Sequence, residues 1–472
     1  MPAKELSPIE IYQSLPRTNC KECGESNCMA FAAKLVNRES LLDACTPLLE
    51  PKNQEAYRKL WNLLKPAVKS VVVGTGEHAV TLGGEYVVYR HEFTYFNQPA
   101  IAVDVTDEME DEEFETRINL VNNFVFEYIG MQLTLDMVSL RSTSGDPTKF
   151  ADSAKRVSEL TEKPMVLCST DTGVMEEALK QVSSRKPLIY AVTRNNWKDM
   201  AELAIKYECP VVASSPMDLD GLKSLAATLE AYGVEDIVLD PGTHPIEYMQ
   251  SNLNTFTTLR LDAINEEEEH LGYPLLGVPL VAWAENQEEP VLNEWNEAVL
   301  ASVLITRYTD ILIVHGISGW SLLPQVFLRQ NLYTDPRKPV SVEAGVMTIG
   351  EPNDLSPVLM TTNFALTYYT VASDIELAKI DCYLLVVDSE GMSVESAVAG
   401  RKMTADTVAE SITTYKLADM VQHRHIIIPG RSARLSGEIQ EASDWKVSVG
   451  PLDSSGIAKY LDEKWKPFPE DD

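Results

Sequence analysis

The chain has 472 residues, of which 44% are hydrophobic and 24% are charged, a composition typical of globular proteins built from several domains. Its 71 acidic and 40 basic side chains give a net charge of −31, which disfavours binding to nucleic acid phosphates and to anionic membranes. The sequence contains no run of 18 apolar residues, about the length that a membrane-spanning helix requires. We therefore expect partners that are proteins or small molecules, with no nucleic acid and no membrane among them.

Four of the seven cysteines lie in the first 45 residues, with the spacing C-x2-C-x4-C-x16-C. The first ten residues, MPAKELSPIE, lack the apolar core of a signal peptide, so we expect a cytoplasmic protein, in which disulfides rarely persist. Thiolates gathered in a reducing compartment indicate a metal centre, either an iron-sulfur cluster or zinc. The four candidate ligands are Cys20, Cys23, Cys28 and Cys45.

The spacing of these four cysteines favours a 4Fe-4S cluster. A structural zinc site usually uses two C-x2-C pairs, whereas here only Cys20 and Cys23 form such a pair. Zinc and unligated thiols remain the two alternatives. The other three cysteines, Cys168, Cys209 and Cys382, lie singly at the ends of apolar segments and are expected to be small buried side chains.

Residues 1–60 form the predicted cluster domain. After Cys28, apolar residues three and four apart predict a helix that brings Cys45 back towards the other cysteines. Residues 61–97 follow as a connecting helix and a hairpin that is predicted to turn near Gly83 and Gly84.

Short apolar strands recur between residues 98 and 335, most of them separated by helical stretches. Strands that are apolar throughout and that meet polar residues or glycine at their carboxyl ends are typical of a parallel sheet buried on both faces. Eight such units in this length predict a (β/α)8 TIM barrel, and therefore an α/β fold class. The predicted strands span residues 101–108, 136–143, 164–170, 188–193, 210–215, 236–242, 275–283 and 310–316.

The functional face of a TIM barrel lies at the carboxyl ends of its strands. The loop from Asp240 to His244 is the most polar of the loops there, and either a catalytic or pterin-binding use or simple loop capping would explain it. The predicted face carries Asp104, Asp107, Ser142, Thr143, Thr170, Asp171, Arg194, Asn195, Asn196, Asp240 and His315.

A second α/β segment follows a boundary rich in proline and charge, and residues 340–472 form a predicted Rossmann-like domain. Its strands span residues 357–363, 382–388, 425–430 and 445–451. Its ligand is expected beyond the carboxyl ends of these strands. Neither G-x-G-x-x-G after the first strand nor a P-loop motif is present, which disfavours nucleotides. The strand ends carry Thr361, Thr362, Asn363, Ser389, Glu390, Gly391, Gly430, Arg431, Ser432, Gly450 and Pro451.

The segments LPRTNCKECGESNCMAFA, TTNFALTYY, LLVVDSEGMSV and IIIPGRSARLSGEI, together with Cys45 and the barrel between them, resemble the large-subunit family of corrinoid iron-sulfur proteins. The archaeal members of that family are gamma subunits of the acetyl-CoA decarbonylase/synthase complex. The resemblance covers nearly the whole chain and rests on three unrelated modules in one order. It implies a 4Fe-4S cluster on the four cysteines and a corrinoid on the C-terminal domain, near Thr361, Thr362, Asn363, Phe364, Gly391, Gly430, Arg431, Ala433 and Gly450.

The resemblance also implies a function, that of a methyltransferase component in one-carbon metabolism. The corrinoid cobalt would accept a methyl group from a methyl-tetrahydropterin and pass it to acetyl-CoA synthase, or the reverse, while the cluster reduces Co(II) to Co(I). The implied partners are a small TIM-barrel subunit in a heterodimer, acetyl-CoA synthase and CO dehydrogenase subunits, and the pterin. No side chain of this chain is assigned a catalytic role.

Two other functions stay open. The chain could be an electron-transfer activator of a separate corrinoid protein, although the ATP site expected of such activators is not visible in the sequence. It could also be a pterin-dependent methyltransferase that acts through its barrel face. None of the seven histidines has an aspartate two residues before it, so the D-x-H-x-x-G motif that supplies a histidine to cobalt in many corrinoid proteins is missing.

Overall fold

A computed structural model describes residues 6–284 and 289–467. Three short parts of the predicted domains lie outside the described residues: 1–5 of the cluster domain, 285–288 of the barrel and 468–472 of the C-terminal domain. The chain divides into two compact units: Met1–Phe126 with Leu133–Thr334, and Glu127–Gln132 with Asp335–Asp472. Among the described helices, none is both long enough and apolar enough to cross a membrane.

The N-terminal part of the first unit packs three helices around a small apolar core. Ile11, Phe31 and Leu60 are fully or almost fully buried in it. The predicted helix after Cys28 is present, but it ends well before Cys45 because Arg38 adopts a left-handed φ of 60°. Short 3-10 turns carry the chain on to Cys45 instead. The helices are α1 (Pro8–Ser14), α2 (Cys28–Val36) and α3 (Gln54–Leu64).

The strands that follow build a hairpin, a barrel and a second small hairpin. The eight barrel strands are all parallel in the order β10-β9-β8-β7-β6-β3-β12-β11, and a bridge between Leu239 and Leu275 closes the ring. The predicted eight-stranded barrel is therefore confirmed. The strands are β1 (Ser70–Val73), β2 (Val80–Gly83), β3 (Ala100–Thr106), β4 (Val125–Tyr128), β5 (Met131–Thr134), β6 (Met137–Arg141), β7 (Met165–Cys168), β8 (Leu188–Val192), β9 (Val211–Ser214), β10 (Ile237–Asp240), β11 (Leu276–Gly277) and β12 (Ile311–Val314).

Helices follow each barrel strand, as the parallel connections require. The three other cysteines of the chain, at positions 168, 209 and 382, are buried as predicted. The helices are α4 (Asp111–Asn123), α5 (Pro147–Leu160), α6 (Thr172–Val182), α7 (Trp197–Tyr207), α8 (Leu219–Tyr232), α9 (Met249–Asn265), α10 (Pro290–Ile305) and α11 (Gly319–Leu332).

The first hairpin closes the amino end of the barrel. Val71, Val73 and Leu82 pack against the first residues of several barrel strands, such as Ala100 and Met137. The predicted turn near residues 83 and 84 is wrong, since β1 and β2 pair as Ser70↔Gly83 and Val73↔Val80 and the turn spans residues 74–79. The glycines that reverse the chain are those at positions 74 and 76, both with positive φ.

Two other strand predictions differ from the structure. Strand β11 covers only Leu276–Gly277 instead of residues 275–283, because Pro279 lacks the N–H that a continuing strand needs and begins a 3-10 helix, Pro279–Trp283. The pair β4 and β5, which forms a separate two-stranded sheet, was not predicted.

The second unit is built on one open five-stranded sheet in the order β13-β15-β14-β16-β17. The four predicted strands are present and parallel, whereas the edge strand β13 is antiparallel and was not predicted. The strands are β13 (Gly345–Ile349), β14 (Val358–Thr362), β15 (Cys382–Val387), β16 (His425–Ile428) and β17 (Lys446–Val449). The helices are α12 (Ala365–Leu377), α13 (Val394–Ala399), α14 (Ala405–Thr414), α15 (Leu417–Met420), α16 (Ser436–Ser443) and α17 (Ile457–Lys464).

Helices cover both faces of this sheet. Val358 and Leu385 point to one side, into a core shared with α13, α14 and α16. Leu359 and Leu384 point to the other side, into a core shared with α12 and α17. The strand order reverses between β14 and β16, and in doubly wound sheets such a switch point opens a ligand crevice outside the carboxyl ends of the two strands.

Candidate cofactor sites

The four N-terminal cysteines lie around one loop. Cys20 and Cys23 belong to the loop before α2, Cys28 is the first residue of α2, and Cys45 lies between two 3-10 turns. Cys28 and Cys45 are buried, Cys23 is half-buried and Cys20 is exposed. Burial raises the pKa of the Cys45 thiol, and the thiols of residues 23, 28 and 20 act in the same direction.

The loop that carries Cys20 and Cys23 has a tightly turning backbone, which could surround a bound cluster. Arg17, Asn19, Lys21 and Gly24 all have a positive φ, between 49° and 84°. The side-chain oxygen of Asn19 accepts a hydrogen bond from the backbone N–H of Cys28 at 2.9 Å, and the backbone N–H of Asn19 donates to Cys28 Sγ at 3.3 Å. Hydrogen bonds to cysteine sulfurs help to set the potential of iron-sulfur clusters. Sequence reasoning missed Asn19, which carries no motif of its own.

Four thiols around one turning loop, two of them buried and one accepting an N–H, have the donor chemistry of an iron-sulfur cluster. Within residues 6–284 and 289–467, no group of three or more His, Cys, Asp or Glu side chains is placed so that it could hold a metal ion. The fit therefore rests on the donor set, the burial and the loop backbone.

The second candidate site lies at the switch point of the second unit, where β14 ends. Thr361 and Thr362 are 1% and 0% exposed, and the hydroxyl oxygen of each has no hydrogen-bond partner in the structure. Buried hydroxyls are rarely left unpaired, because losing water without a replacement is costly. Since neighbouring strand residues point to opposite faces, the two hydroxyls lie on opposite sides of the sheet at its carboxyl edge.

Asn363, the next residue, holds the adjoining loop together. Its side-chain oxygen accepts hydrogen bonds from Ser389 N at 2.9 Å, Ser389 Oγ at 2.9 Å and Gly391 N at 3.1 Å. Its side-chain nitrogen donates to Asp388 at 3.0 Å. Both ends of the amide are thus occupied by the chain itself, and Asn363 positions the loop after β15.

The three candidate glycines are explained by contacts within the protein. A Cβ on Gly430 would lie 2.8 Å from the oxygen of Pro451, and one on Gly391 would lie 2.8 Å from Pro339 Cβ. A Cβ on Gly450 would lie 3.1 Å from a methyl group of Ile427. The resemblance implies a corrinoid near these glycines, but close packing of the strand-end loops is sufficient to require them.

The remaining candidates lie at the surface of the same edge. Arg431 and Ala433 are exposed in the 3-10 helix that follows β16, and Arg431 pairs with the exposed Glu395 at 2.8 Å. A pair of this kind contributes little to stability, so the guanidinium can exchange partners readily. Phe364 is half-buried and forms a bridge with Ser341 just before α12.

An apolar rim that sequence reasoning missed accompanies these residues. Leu366, in the first turn of α12, and Val449, at the end of β17, are both exposed. Leu452, in the loop after β17, is 70% exposed. Exposed apolar side chains grouped at one edge of a sheet are typical of a surface that another molecule covers.

Polar side chains at the carboxyl end of the barrel mostly bind one another. Asp104 is fully buried and accepts two hydrogen bonds from Arg141, at 2.9 and 3.2 Å. His315 Nδ1 lies 3.2 Å from the same carboxylate. Two helical residues that sequence reasoning missed complete the group. Arg117 donates to the backbone carbonyl of His315 at 2.7 Å, and the Glu297 carboxylate accepts the backbone N–H of His315 at 2.6 Å.

Asp107 and Asp240 of this face are also satisfied internally. Asp107 accepts hydrogen bonds from Thr143 and Ser144, which outweigh the opposing effect of burial and lower its pKa. Burial raises the pKa of Asp240, which accepts hydrogen bonds at 2.8 Å from Tyr190 and Ser214. Ser142 donates to Asp107 at 3.3 Å.

Loop capping accounts for the remaining residues of the predicted barrel face. Asp171 caps α6, accepting hydrogen bonds from Gly173 N at 2.8 Å and Val174 N at 3.0 Å. Asn196 closes the next loop by accepting a hydrogen bond from Thr193 N at 2.6 Å and donating to the Thr170 carbonyl at 2.8 Å. The neighbouring residues 194 and 195 are exposed.

Two family models match the chain. One, described as "CO dehydrogenase/acetyl-CoA synthase delta subunit", matches residues 70–461, and the other, described as "Putative Fe-S cluster", matches residues 15–47, which include all four N-terminal cysteines. Among solved structures, the dihydropteroate synthase of Thermus thermophilus is 17% identical, with a TM-score of 0.41, and the match covers 56% of this chain and 100% of that chain.

Several relatives match the chain almost end to end. The acetyl-CoA decarbonylase/synthase complex subunit gamma of Methanosarcina acetivorans is 43% identical over 98% of this chain and 99% of its own length. The subunit of the same name from Archaeoglobus fulgidus is 42% identical over 98% and 99%. That of Methanocaldococcus jannaschii is 39% identical over 98% and 97%. By this full-length similarity, the chain belongs to the family of acetyl-CoA decarbonylase/synthase complex gamma subunits.

Proposed function

We propose that this chain is a methyl carrier, the methyltransferase component that accepts a methyl group from a methyl-tetrahydropterin and delivers it to acetyl-CoA synthase, or works in the reverse direction. A corrinoid bound at the switch point of the second unit would supply the cobalt that takes up the methyl group. The observation that carries this proposal is the pair of buried, unpaired hydroxyls of Thr361 and Thr362 at that switch point.

Each part of the edge has a distinct role in this proposal. A ligand at this edge would offer the hydroxyl of Thr361 or of Thr362, which point to opposite faces of the sheet, the polar contact that the described residues do not provide. Asn363 fixes the loop after β15, so that its backbone is already in place when the ligand arrives. Leu366 and Leu452 shield the ligand from water.

The N-terminal cysteines would hold a 4Fe-4S cluster, which supplies single electrons to return the cobalt from Co(II) to Co(I). Cys28 and Cys45 anchor it from the buried side, and the exposed Cys20 lies on the side from which an electron donor can approach. The family match over residues 15–47 supports this cofactor.

The relatives are named as subunits of a multi-subunit complex, which supports protein partners for this chain. We propose a heterodimer with a small TIM-barrel subunit, and contacts with acetyl-CoA synthase and CO dehydrogenase subunits, in the cytoplasm. The alternative of pterin chemistry on this chain's own barrel face has less support, because Asp104, Asp107 and Asp240 already bind neighbouring side chains. The activator alternative leaves the hydroxyls at residues 361 and 362 without a role.

Replacing Thr361 or Thr362 with valine tests the proposal. The change replaces only the hydroxyl with a methyl group of similar size, so the ligand-free protein should be as stable or more stable by about 1 kcal/mol, because an unpaired buried hydroxyl is lost. Binding of cobinamide, a corrinoid without a lower base, should weaken about tenfold in at least one variant, as expected for one lost hydrogen bond. Both quantities can be measured on the full chain, by urea unfolding and by anaerobic spectral titration.

Thr309 provides the matched control. It is also fully buried and its hydroxyl also has no partner among the described residues, but it lies in the barrel, next to β12. Thr309→Val should change stability in the same way and leave cobinamide affinity unchanged. If both switch-point variants bind cobinamide like the unchanged chain, the proposed corrinoid site is wrong.

A further inference from the structure

A cavity of about 190 Å³ opens at the amino end of the barrel, the pole opposite the predicted functional face. Its walls come from residues 88–91, which precede β3, from residues 305–308, which lead into β12, and from the end of α11. A cavity of about 150 Å³ in another protein holds a benzene molecule. This one is therefore large enough for a ligand the size of a substituted benzene ring.

The charge of the cavity is opposite to that of the whole chain. Arg90, His91 and Arg307 line it, and no aspartate or glutamate is among its described lining residues. Burial raises the pKa of Tyr308, and the nearby carboxylate of Glu92 raises it further. The Glu92 side chain is exposed, however, so water and salt screen its charge. In a protein of net charge −31, a concave surface lined by basic side chains selects for anions.

Arg90 supplies an unused donor at this site. Its Nη2 donates to the Thr334 carbonyl at 2.9 Å, which fixes the side chain. Its Nε is buried and has no hydrogen-bond partner in the structure. A buried guanidinium N–H without an acceptor is costly, and since Arg90 lines the cavity, a ligand oxygen that reached this N–H would relieve that cost.

Tyrosine rings give the cavity flat walls. Tyr95, Tyr308 and Tyr333 all line it, and the rings of Tyr95 and Tyr333 lie 5.2 Å apart. Aromatic walls of this kind favour planar molecules, which can stack on them or meet them edge to face.

The buried ionisable group near the cavity wall, made of Arg260, Asp310 and Glu85, does not repel an anion. Arg260 and Asp310 form an ion pair of 2.7 Å, and Arg260 keeps two further nitrogens without partners. Burial raises the pKa of Glu85 to about 8, so its carboxyl group is mostly neutral at pH 7. Burial raises the pKa of both Tyr95 and Tyr333 and the Arg260 charge opposes this rise, as expected for a buried group close to the cavity wall.

We propose that this cavity binds a small oxyanion carried on a planar body, such as an aromatic carboxylate. Arg90 and Arg307 hold the oxyanion and the tyrosines hold the ring. Such a site is separate from the cysteine cluster and from the switch point, and it adds a ligand that the methyl-carrier function does not require.

Calorimetric titration of the full chain with benzoate, inorganic phosphate and benzyl alcohol tests this site. Benzoate should bind, phosphate should bind more weakly because it lacks the ring, and benzyl alcohol, which keeps the ring without the charge, should give no measurable binding. Arg307→Gln should weaken benzoate binding about tenfold, through loss of a charged hydrogen bond. Arg307 is exposed, so this variant should fold normally.

Arg58→Gln is the matched control, since it removes the same charge from an exposed position on α3 and should leave benzoate binding unchanged. Absence of binding by both benzoate and phosphate would overturn the proposal, and so would equal binding of benzoate and benzyl alcohol. If phosphate bound more tightly than benzoate, the proposal that the tyrosines select a planar ligand would be wrong. An unchanged affinity in Arg307→Gln would overturn the role of the arginines.

Discussion

Cys23→Ala is expected to abolish the iron-sulfur signal in electron paramagnetic resonance spectra of the reduced chain. A cubane needs all four thiolates, and loss of one leaves an iron open to water and oxidation. Cys23 is the best position for the test because it is only half-buried, whereas Cys28 and Cys45 also contribute to the apolar core of the N-terminal segment. The signal should fall by at least about tenfold relative to the unchanged chain.

The same variant separates the two proposed roles of the chain. Methyl transfer should be lost when the assay relies on an added electron donor acting through the cluster, but chemically pre-reduced protein should still accept methyl groups. Cys209→Ala, which removes a buried thiol of the barrel, should affect neither result. An undiminished spectrum of Cys23→Ala would show that the cysteines do not hold the cluster.

Asn363→Ala is expected to destabilise the second unit by about 3 kcal/mol or more and to abolish retention of the corrinoid. The substitution leaves Ser389 N and Gly391 N, both buried, without their acceptor. Each unsatisfied buried donor costs about 1–3 kcal/mol, and the released loop no longer borders the switch point in a fixed position. Urea unfolding followed by fluorescence measures the first effect, and gel filtration of the corrinoid-loaded chain measures the second.

Asn353→Ala is the control for this prediction. Asn353 also accepts a backbone N–H, from Leu355 at 2.8 Å, but it is exposed, so water can replace the lost hydrogen bond. Its removal should cost less than about 1 kcal/mol and leave corrinoid retention intact. If Asn363→Ala and Asn353→Ala behave alike, Asn363 does not organise the site.

The barrel could be predicted from sequence because its strands are buried on both faces. Strand β12 is apolar at every position and β3 is apolar over its first four residues, and each leads into polar residues that the fold brings to one rim. Strand β13 could not be found in this way, since most of its side chains are half-buried at the edge of a sheet and it pairs antiparallel to β15. The hairpin turn was placed wrongly because two pairs of glycines, at positions 74 and 76 and at positions 83 and 84, could each form a turn. Only the register of β1 against β2 distinguishes between them.

The candidate sites differ in how much of them the sequence contains. The cysteine set follows from spacing within one short segment. The roles of Asn363 and Gly430 do not, because their partners lie far along the chain or depend on a loop conformation: Asn363 meets a serine 26 residues later, and Gly430 faces the Pro451 backbone. The unpaired hydroxyls of Thr361 and Thr362 are visible only after every nearby donor and acceptor has been located.

The central claim is that one chain binds both an iron-sulfur cluster and a corrinoid. The most direct measurement is the metal content and visible spectrum of the full-length chain, purified without oxygen and loaded with cobinamide before gel filtration. The account predicts about four irons and about one cobalt per chain, with the sharp corrinoid bands standing on the broad iron-sulfur absorption. Zinc in place of iron, or a chain that leaves the column without cobalt, would contradict it.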